Sequence, residues 1–505
     1  MLKSILNRAL TVNCLFFCLL LLLFFFFNFH EILFLRPQGI HFARQTDSLA
    51  FVTGYYKYGM AFFEPKGLNL LSEEGRGASE FPILYYLTAC LYFVFGEKEF
   101  ILRLINISLV SFGFYYLFKL IRALFQDLFY AFILTYLFLS STVLLYYTNN
   151  FLPDVGALSF TLIAWYFFYK YLSDKKRNSL FLCFLFFTIS SLLKITFYIN
   201  PIAAFLTLIY FGINEKSNPF KFFLKVFWIG FSVNFFWVLY VIYYNHVFGN
   251  NYFTTTIRPI WNLPTEAIKY VWSHIYNYWY TRYYFQSTFH LLFFILILGG
   301  LLIKRIALKL LIPTLLLLMG SLCYGVLFYE MFQDHDYYVL AILPTLILTV
   351  LSCFYAIRSR FPKLVAHYLV KLIFLAICVL SINYAQEKLS IRYLDSKNEA
   401  SDISNTFDSI KEKLLKFGVD EDSKFIVIED SSRNGSLYFL NRQGWVFDDF
   451  SKLNEAVLLT LIGNGAEYLI VTEKNKQLNN YDSLKELGQI NGMLLYKVEF
   501  KIGSK

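Results

Sequence analysis

Long apolar runs alternate with short polar loops over the first three quarters of the chain, and the pattern changes after Tyr384. A run of about 20 apolar residues is enough to cross a hydrocarbon core. Read this way, the spans are Ala9–Phe29, Leu102–Leu124, Tyr130–Tyr147, Val155–Tyr171, Leu180–Leu193, Ile195–Phe211, Phe222–Tyr244, Leu291–Ile303, Leu308–Phe328, Tyr338–Ala356 and Leu364–Tyr384. That gives about eleven spans, some of them short. A further block, Phe81–Phe95, is short for a span. Its placement decides the sidedness of every later loop. If it crosses, Lys119 and Arg122 fall outside and the later basic loops flip with them. If it lies along the interface, Lys119, Arg122, Lys170, Lys175, Lys176, Arg177, Lys216, Lys221, Lys225, Lys304, Arg305, Lys309, Arg358, Arg360 and Lys363 all fall on the cytoplasmic side. The positive-inside rule favours the interfacial helix. The N-terminus, with Lys3 and Arg8, is then cytoplasmic and the C-terminus outside.

Beyond Tyr384 the sequence reads as a small α/β domain, so the expected division is 1–384 and 385–505. Strands are expected at Lys424–Glu429, Glu467–Thr472 and Met493–Phe500, and helices at Asn434–Asn441 and Lys452–Gly463. The first two strands are expected to pair in parallel. Ser431-Ser-Arg-Asn-Gly435, after the first strand, could cradle a phosphate, but it matches no phosphate-binding fingerprint and reads as a turn. A second outer loop, His246–Thr288, carries Trp261, Trp272, Tyr276, Tyr278, Trp279, Tyr280 and Tyr283, and is expected to be partly helical against the membrane surface or the site.

Composition sharpens the class. The chain is 57% hydrophobic and 16% charged, which excludes an ordinary soluble enzyme. The net charge of +10 resides largely in short loops, so orientation explains it and nucleic-acid binding is not expected. All seven cysteines lie in apolar runs and read as small buried hydrophobes. The first apolar run is too long for a signal-peptide core and reads as a retained anchor. Abundant Phe, Lys, Asn, Ile and Tyr suggest a bacterial source, hence a bacterial cytoplasmic (inner) membrane.

The ionisable residues that stand out collect on the outer side. Asp47 and Glu80 bracket the first outer loop, with Arg44 and Gln45 a turn before Asp47. Asp154 follows Pro153, where it could also cap a helix. Lys194 ends a span, where it could bind an anion or snorkel to the interface. His335-Asp336-Tyr337 sits at the outer end of another span. Ionisable groups near a membrane interior are costly and mark function.

Arg44-Gln-Thr-Asp47, Glu80-Phe-Pro82, Tyr85-Tyr86, Arg103, Pro153-Asp154, Lys194 and His335-Asp336-Tyr-Tyr338, in this order over roughly residues 1–385, resemble the bacterial GT-C glycosyltransferases of family 39. That family includes the protein O-mannosyltransferases and the lipid A aminoarabinose transferase. The resemblance implies a GT-C fold with interfacial helices in the first outer loop, and a polyprenyl-phosphate-linked sugar as donor. Asp47 would match the catalytic acid and Glu80 the assisting one. The position similar to Glu80 helps hold a metal in the aminoarabinose transferase, so a divalent cation is a candidate cofactor. Asp47 is followed by Ser48 where the O-mannosyltransferases have an Asp-Glu pair, which weakens the case for a protein acceptor.

The chemistry points the same way. Transfer from a phosphate needs a base for the acceptor hydroxyl and cations for the departing phosphate. Asp47 fits the first role; Arg44, Lys194 and Arg103 fit the second. Asp154, His335, Asp336 and Tyr337 are candidates for substrate binding. The expected partners are the polyprenyl-phosphate sugar, a lipid, glycan or protein acceptor, and membrane lipids. The rivals are a transporter or flippase of lipid-linked oligosaccharides, a polymerase or ligase using a diphosphate donor, and a non-catalytic scaffold. A transporter is expected to carry inverted repeats and midplane charges, and neither is found.

Overall fold

The computed structural model describes residues 2–215, 220–253, 257–394, 399–407, 409–471 and 481–499. Lys216, Thr472 and Phe500, each part of an expected loop or strand, lie outside the described residues. Apolar runs become helices because a backbone in lipid must satisfy its own hydrogen bonds. Each of the eleven expected spans corresponds to helix, from Leu2–Phe26 to Tyr368–Leu394. The chain is a multi-pass helical membrane protein with a small C-terminal sheet domain. Among the described residues, five helices are long and apolar enough to cross a membrane, or up to seven if each of two bent pairs is one span. Length and composition therefore leave the count of eleven unconfirmed. Helices Asp154–Asp174 and Leu343–Arg360 are among those outside that set.

The chain divides into two compact units. The first comprises Met1–Leu33, Arg103–Val238 and Thr255–Ile391. Within it, Asp154–Asp174 and Arg177–Leu193 form an antiparallel hairpin. Small residues let helices approach closely. A Cβ on Gly299 would stand 2.5 Å from the Cα of Cys353, so Gln286–Leu301 and Leu343–Arg360 pack in contact there. Buried hydroxyl pairs tie helices together: Thr161 with Ser190, Thr314 with Ser352, and Ser321 with Thr345. Trp228, Ile229, Phe235 and Phe236 on Phe220–Val247 are exposed, as are Leu372, Ile373 and Val379 on Tyr368–Leu394. A lipid bilayer would cover these faces.

The expected span Tyr130–Tyr147 is two helices with a sharp bend between them. Leu128–Leu139 and Thr142–Thr148 meet at 78°. The Ser141 hydroxyl accepts from the amide of Leu144 and caps the second piece. The aromatic loop is partly helical, as expected. Thr265–Arg282 meets Gln286–Leu301 at 105°, with Trp261, Trp272 and Tyr276 exposed and Trp279 buried.

The second unit comprises Phe34–Leu102, Leu239–Thr254 and Arg392–Lys505. It joins residues 34–102 to the C-terminal residues. Helices Phe42–Tyr58 and Ile83–Phe95 pack together, and the second is the block expected at the interface. The sheet has five strands: β1 Lys424–Ile428, β2 Gly444–Phe447, β3 Ala466–Val471, β4 Leu484–Ile490 and β5 Met493–Val498. Their order is β2-β1-β3-β5-β4. β1 is parallel to β2 and β3, as expected for β1 and β3; β5 is antiparallel to β3 and β4. Ile426, Ile428, Leu458, Leu469 and Val471 form its core. The loop of the first segment extends the sheet edge: Gly444 donates its amide to Leu68 O and accepts from Leu70 N. Phe42 packs on Phe439.

Candidate active site

In the second unit, Arg44 and Asp47 lie three residues apart on one face of Phe42–Tyr58. Gln45 fixes the entry to this helix by donating to the carbonyls of Gln38 and Ile40. Asp47 is fully buried. Its Oδ2 accepts from the Tyr252 hydroxyl at 2.8 Å and its Oδ1 from Asn434 Nδ2 at 2.7 Å. Arg44 pairs with Glu80 and stands 4.0 Å from Asp47 Oδ2, so one guanidinium links both carboxylates. Ser79 Oγ donates to the other oxygen of Glu80 at 2.6 Å. Burial, against the opposing pull of Arg44 and of the two hydrogen bonds, raises the Asp47 pKa to about 6.

Two asparagines position these parts. Asn250 Oδ1 accepts from the amides of Tyr252 and Phe253, a local turn that aims Tyr252 at Asp47. Asn245 binds the Ala78 backbone in both directions, at 2.8 and 2.9 Å, and so fixes the approach of Ser79 and Glu80. Asp47, Gly67, Asn69, Tyr252, Arg433 and Asn434 help line a cavity of about 250 Å³. Arg433 lies over the Tyr252 ring at 4.5 Å. The segment Ser431–Gly435, expected as a plain turn, therefore supplies two cavity-lining residues.

The first unit holds the other candidates. Lys194 Nζ is 3.4 Å from Asp154 Oδ1 and lies 5.4 and 5.6 Å from the Tyr337 and Tyr338 ring centroids. Asp154 opens its helix but makes no cap; Pro153 holds the cap position, and the side chain of Asp154 is turned to Lys194 instead. Asp336 is buried and accepts from the Tyr147 hydroxyl at 2.5 Å. His335 stacks on Tyr337. Arg103 is fully buried, donates to the Asn149 carbonyl at 2.6 Å and lies over the Phe151 ring. These are the contacts of a residue that braces the backbone where Asn106 also binds the Asn150 and Leu152 carbonyls.

Comparison with known proteins gives one partial family match and two structural ones. Residues 79–243 match the dolichyl-phosphate-mannose-protein mannosyltransferase family. Over nearly the whole chain the structure resembles ArnT from Cupriavidus metallidurans in the apo state, with a TM-score of 0.61, 10% identity, and 97% of this chain and 98% of that chain covered. The fold is ArnT-like, of the GT-C type. ArnT from the same organism bound to undecaprenyl phosphate matches with a TM-score of 0.58, 11% identity, and 96% and 97% coverage. No curated protein matches in sequence. The family match and the GT-C fold together support a membrane glycosyltransferase.

Sequence reasoning missed Tyr252, Arg433, Asn434 and the two positioning asparagines. Tyr252 is one tyrosine in a loop full of them, and Asn434 lies 387 residues from its partner. Nothing local in the chain signals either contact.

Proposed function

We propose that this chain transfers one sugar, with inversion, from a polyprenyl-phosphate donor to an acceptor hydroxyl at the outer face of a bacterial cytoplasmic membrane. The relative with undecaprenyl phosphate bound supports the donor class. The observation that carries the reading is Asp47: buried, held through both oxygens, and lining a cavity.

In the reaction, the acceptor oxygen attacks the anomeric carbon as its proton passes to Asp47. The bond from that carbon to the phosphate oxygen breaks, and the phosphate departs with the electron pair. A pKa of about 6 suits this base: largely ionised at neutral pH, yet more basic than a surface carboxylate. Glu80 assists through Arg44, which it holds beside Asp47. Arg44 is the cation of this unit for phosphate. Lys194, held on two tyrosine rings beside Asp154, has the chemistry to bind phosphate, and His335, Asp336 and Tyr337 to bind sugar. For Arg103 the buried contacts favour a bracing role over phosphate binding.

The residues fit a divalent cation at Glu80 poorly. Its oxygens are engaged by Arg44 and Ser79, and no group of three or more His, Cys, Asp or Glu stands ready to hold a metal among the described residues. No step above runs through one.

The test is the anomeric configuration of donor and product, read by NMR, together with Asp47→Asn. Opposite configurations and loss of transfer in a folded variant are expected. Retained configuration would remove the single-displacement mechanism, and near-normal transfer by Asp47→Asn would remove the base.

A further inference from the structure

Asn434 does more than hold a carboxylate. Its Nδ2 donates to Asp47, which turns its Oδ1 away from that partner. This oxygen is buried, accepts no hydrogen bond among the described residues, and belongs to a residue lining the same cavity as Asp47. A buried acceptor left without a donor is costly and is filled by water or by a ligand.

The chain fixes this orientation from several sides. Asp430 accepts from the amides of Ser432 and Ser436, at 2.6 and 3.0 Å, closing the loop after β1. Gly435 N donates to Ser432 Oγ at 3.0 Å. Asn69 Nδ2 donates to the Arg433 carbonyl at 2.9 Å, and Arg433 itself has a φ of 60°, an unusual conformation for a residue with a side chain. The loop thus presents an amide whose donor end serves the base and whose acceptor end serves the cavity. The carboxylate of Asp47 also keeps accepting capacity beyond its two bonds.

We infer that Asn434 is a positioning residue for Asp47 and, through its Oδ1, reads a second hydroxyl of the acceptor beside the one that reacts. This rests on the reading of Asp47 as base. Two acceptors separated by one hydrogen bond suit two neighbouring hydroxyls on a sugar ring. The acceptor class is therefore a glycan with adjacent hydroxyls, free or lipid-borne, in preference to a serine or threonine side chain, which offers only one. The C-terminal domain contributes directly to acceptor choice.

Gly67 allows the two ends of the amide to be tested apart. A Cβ there would lie 3.7 Å from Asn434 Oδ1, in ordinary contact and at no strained φ. Gly67→Ala therefore crowds the acceptor end without touching the bond to Asp47. The assay mixes purified full-length protein with membranes from cells lacking it, which hold unused donor and acceptor. Mass spectrometry follows donor consumption against pH and identifies the product. Asn434→Ala should move the acidic limb of the rate profile up by roughly half to one pH unit, the effect of losing one hydrogen bond to a carboxylate. Gly67→Ala should slow transfer roughly tenfold or more with the limb unmoved. The product should carry the new sugar beside a free hydroxyl.

A wild-type rate and limb in Asn434→Ala would overturn the inference. If that variant does not fold, a wild-type rate in Gly67→Ala overturns it instead. A product linked to serine or threonine overturns the acceptor class. Failure of the base reading is separate: it appears as activity in Asp47→Asn.

Discussion

A carboxylate surrounded by protein is a poor ion and a good base, and Asp47 has both properties. With a pKa of about 6, Asp47 as the proposed base should place the acidic limb of the transfer rate near pH 6, with activity falling below it as the carboxylate protonates. A pH–rate profile checks this; a limb near pH 4 would assign it to a solvated carboxylate. The same shift affects stability. The folded state holds the Asp47 proton more tightly than the unfolded chain, so stability declines as pH rises from about 4 to about 6, by about 3 kcal/mol for a shift to a pKa of about 6. Asp47→Asn lacks this titration, so the stability difference between variant and parent should move in the variant's favour by that amount from pH 4 to pH 7. Thermal unfolding at both pH values measures it. Asp47, Arg44 and Glu80 were legible in the sequence because charged residues stand out in an apolar context. Tyr252 and Asn434 were not, since their side chains gain meaning only from a partner far along the chain.

Among the elements, the helices were the most legible part, because lipid forces every apolar run to satisfy its backbone internally. The break at Ser140 and Ser141 was not, as hydropathy is continuous across it. Three strands were expected at β1, β3 and β5; β2 and β4 escaped. β2 is four residues long and opens with Gly444, and β4 is largely exposed and polar at the sheet edge. At the ends of two adjacent helices, Lys194 and Asp154 form a largely buried pair. Lys194→Met removes the cation beside the buried Asp154 carboxylate and should destabilise by about 3–5 kcal/mol. Adding Asp154→Asn should restore stability without restoring transfer if Lys194 binds phosphate. Restored transfer in the double variant would make the pair purely structural. Unfolding midpoints and transfer rates of the three variants decide it.

For the whole molecule, the second unit gathers three distant segments, and its C-terminal part supplies Arg433 and Asn434 to the cavity that holds Asp47. Contacts closed over such separations leave no local signal, so the sequence suggested a separate outer domain with an open role. Deleting residues 409–505 should leave the helices inserted in membranes but abolish transfer, as read by cell fractionation and donor accumulation. Full transfer by the truncated chain would make that domain dispensable. In the proposed function this chain consumes a polyprenyl-monophosphate sugar using Asp47. This is tested most directly by mass spectrometry of lipid-linked sugars from cells lacking the protein, complemented with the wild type or with Asp47→Asn. Accumulation of a polyprenyl monophosphate bearing one sugar, cleared by the wild type alone, is expected. Accumulation of a diphosphate-linked oligosaccharide, or clearance by Asp47→Asn, would contradict it.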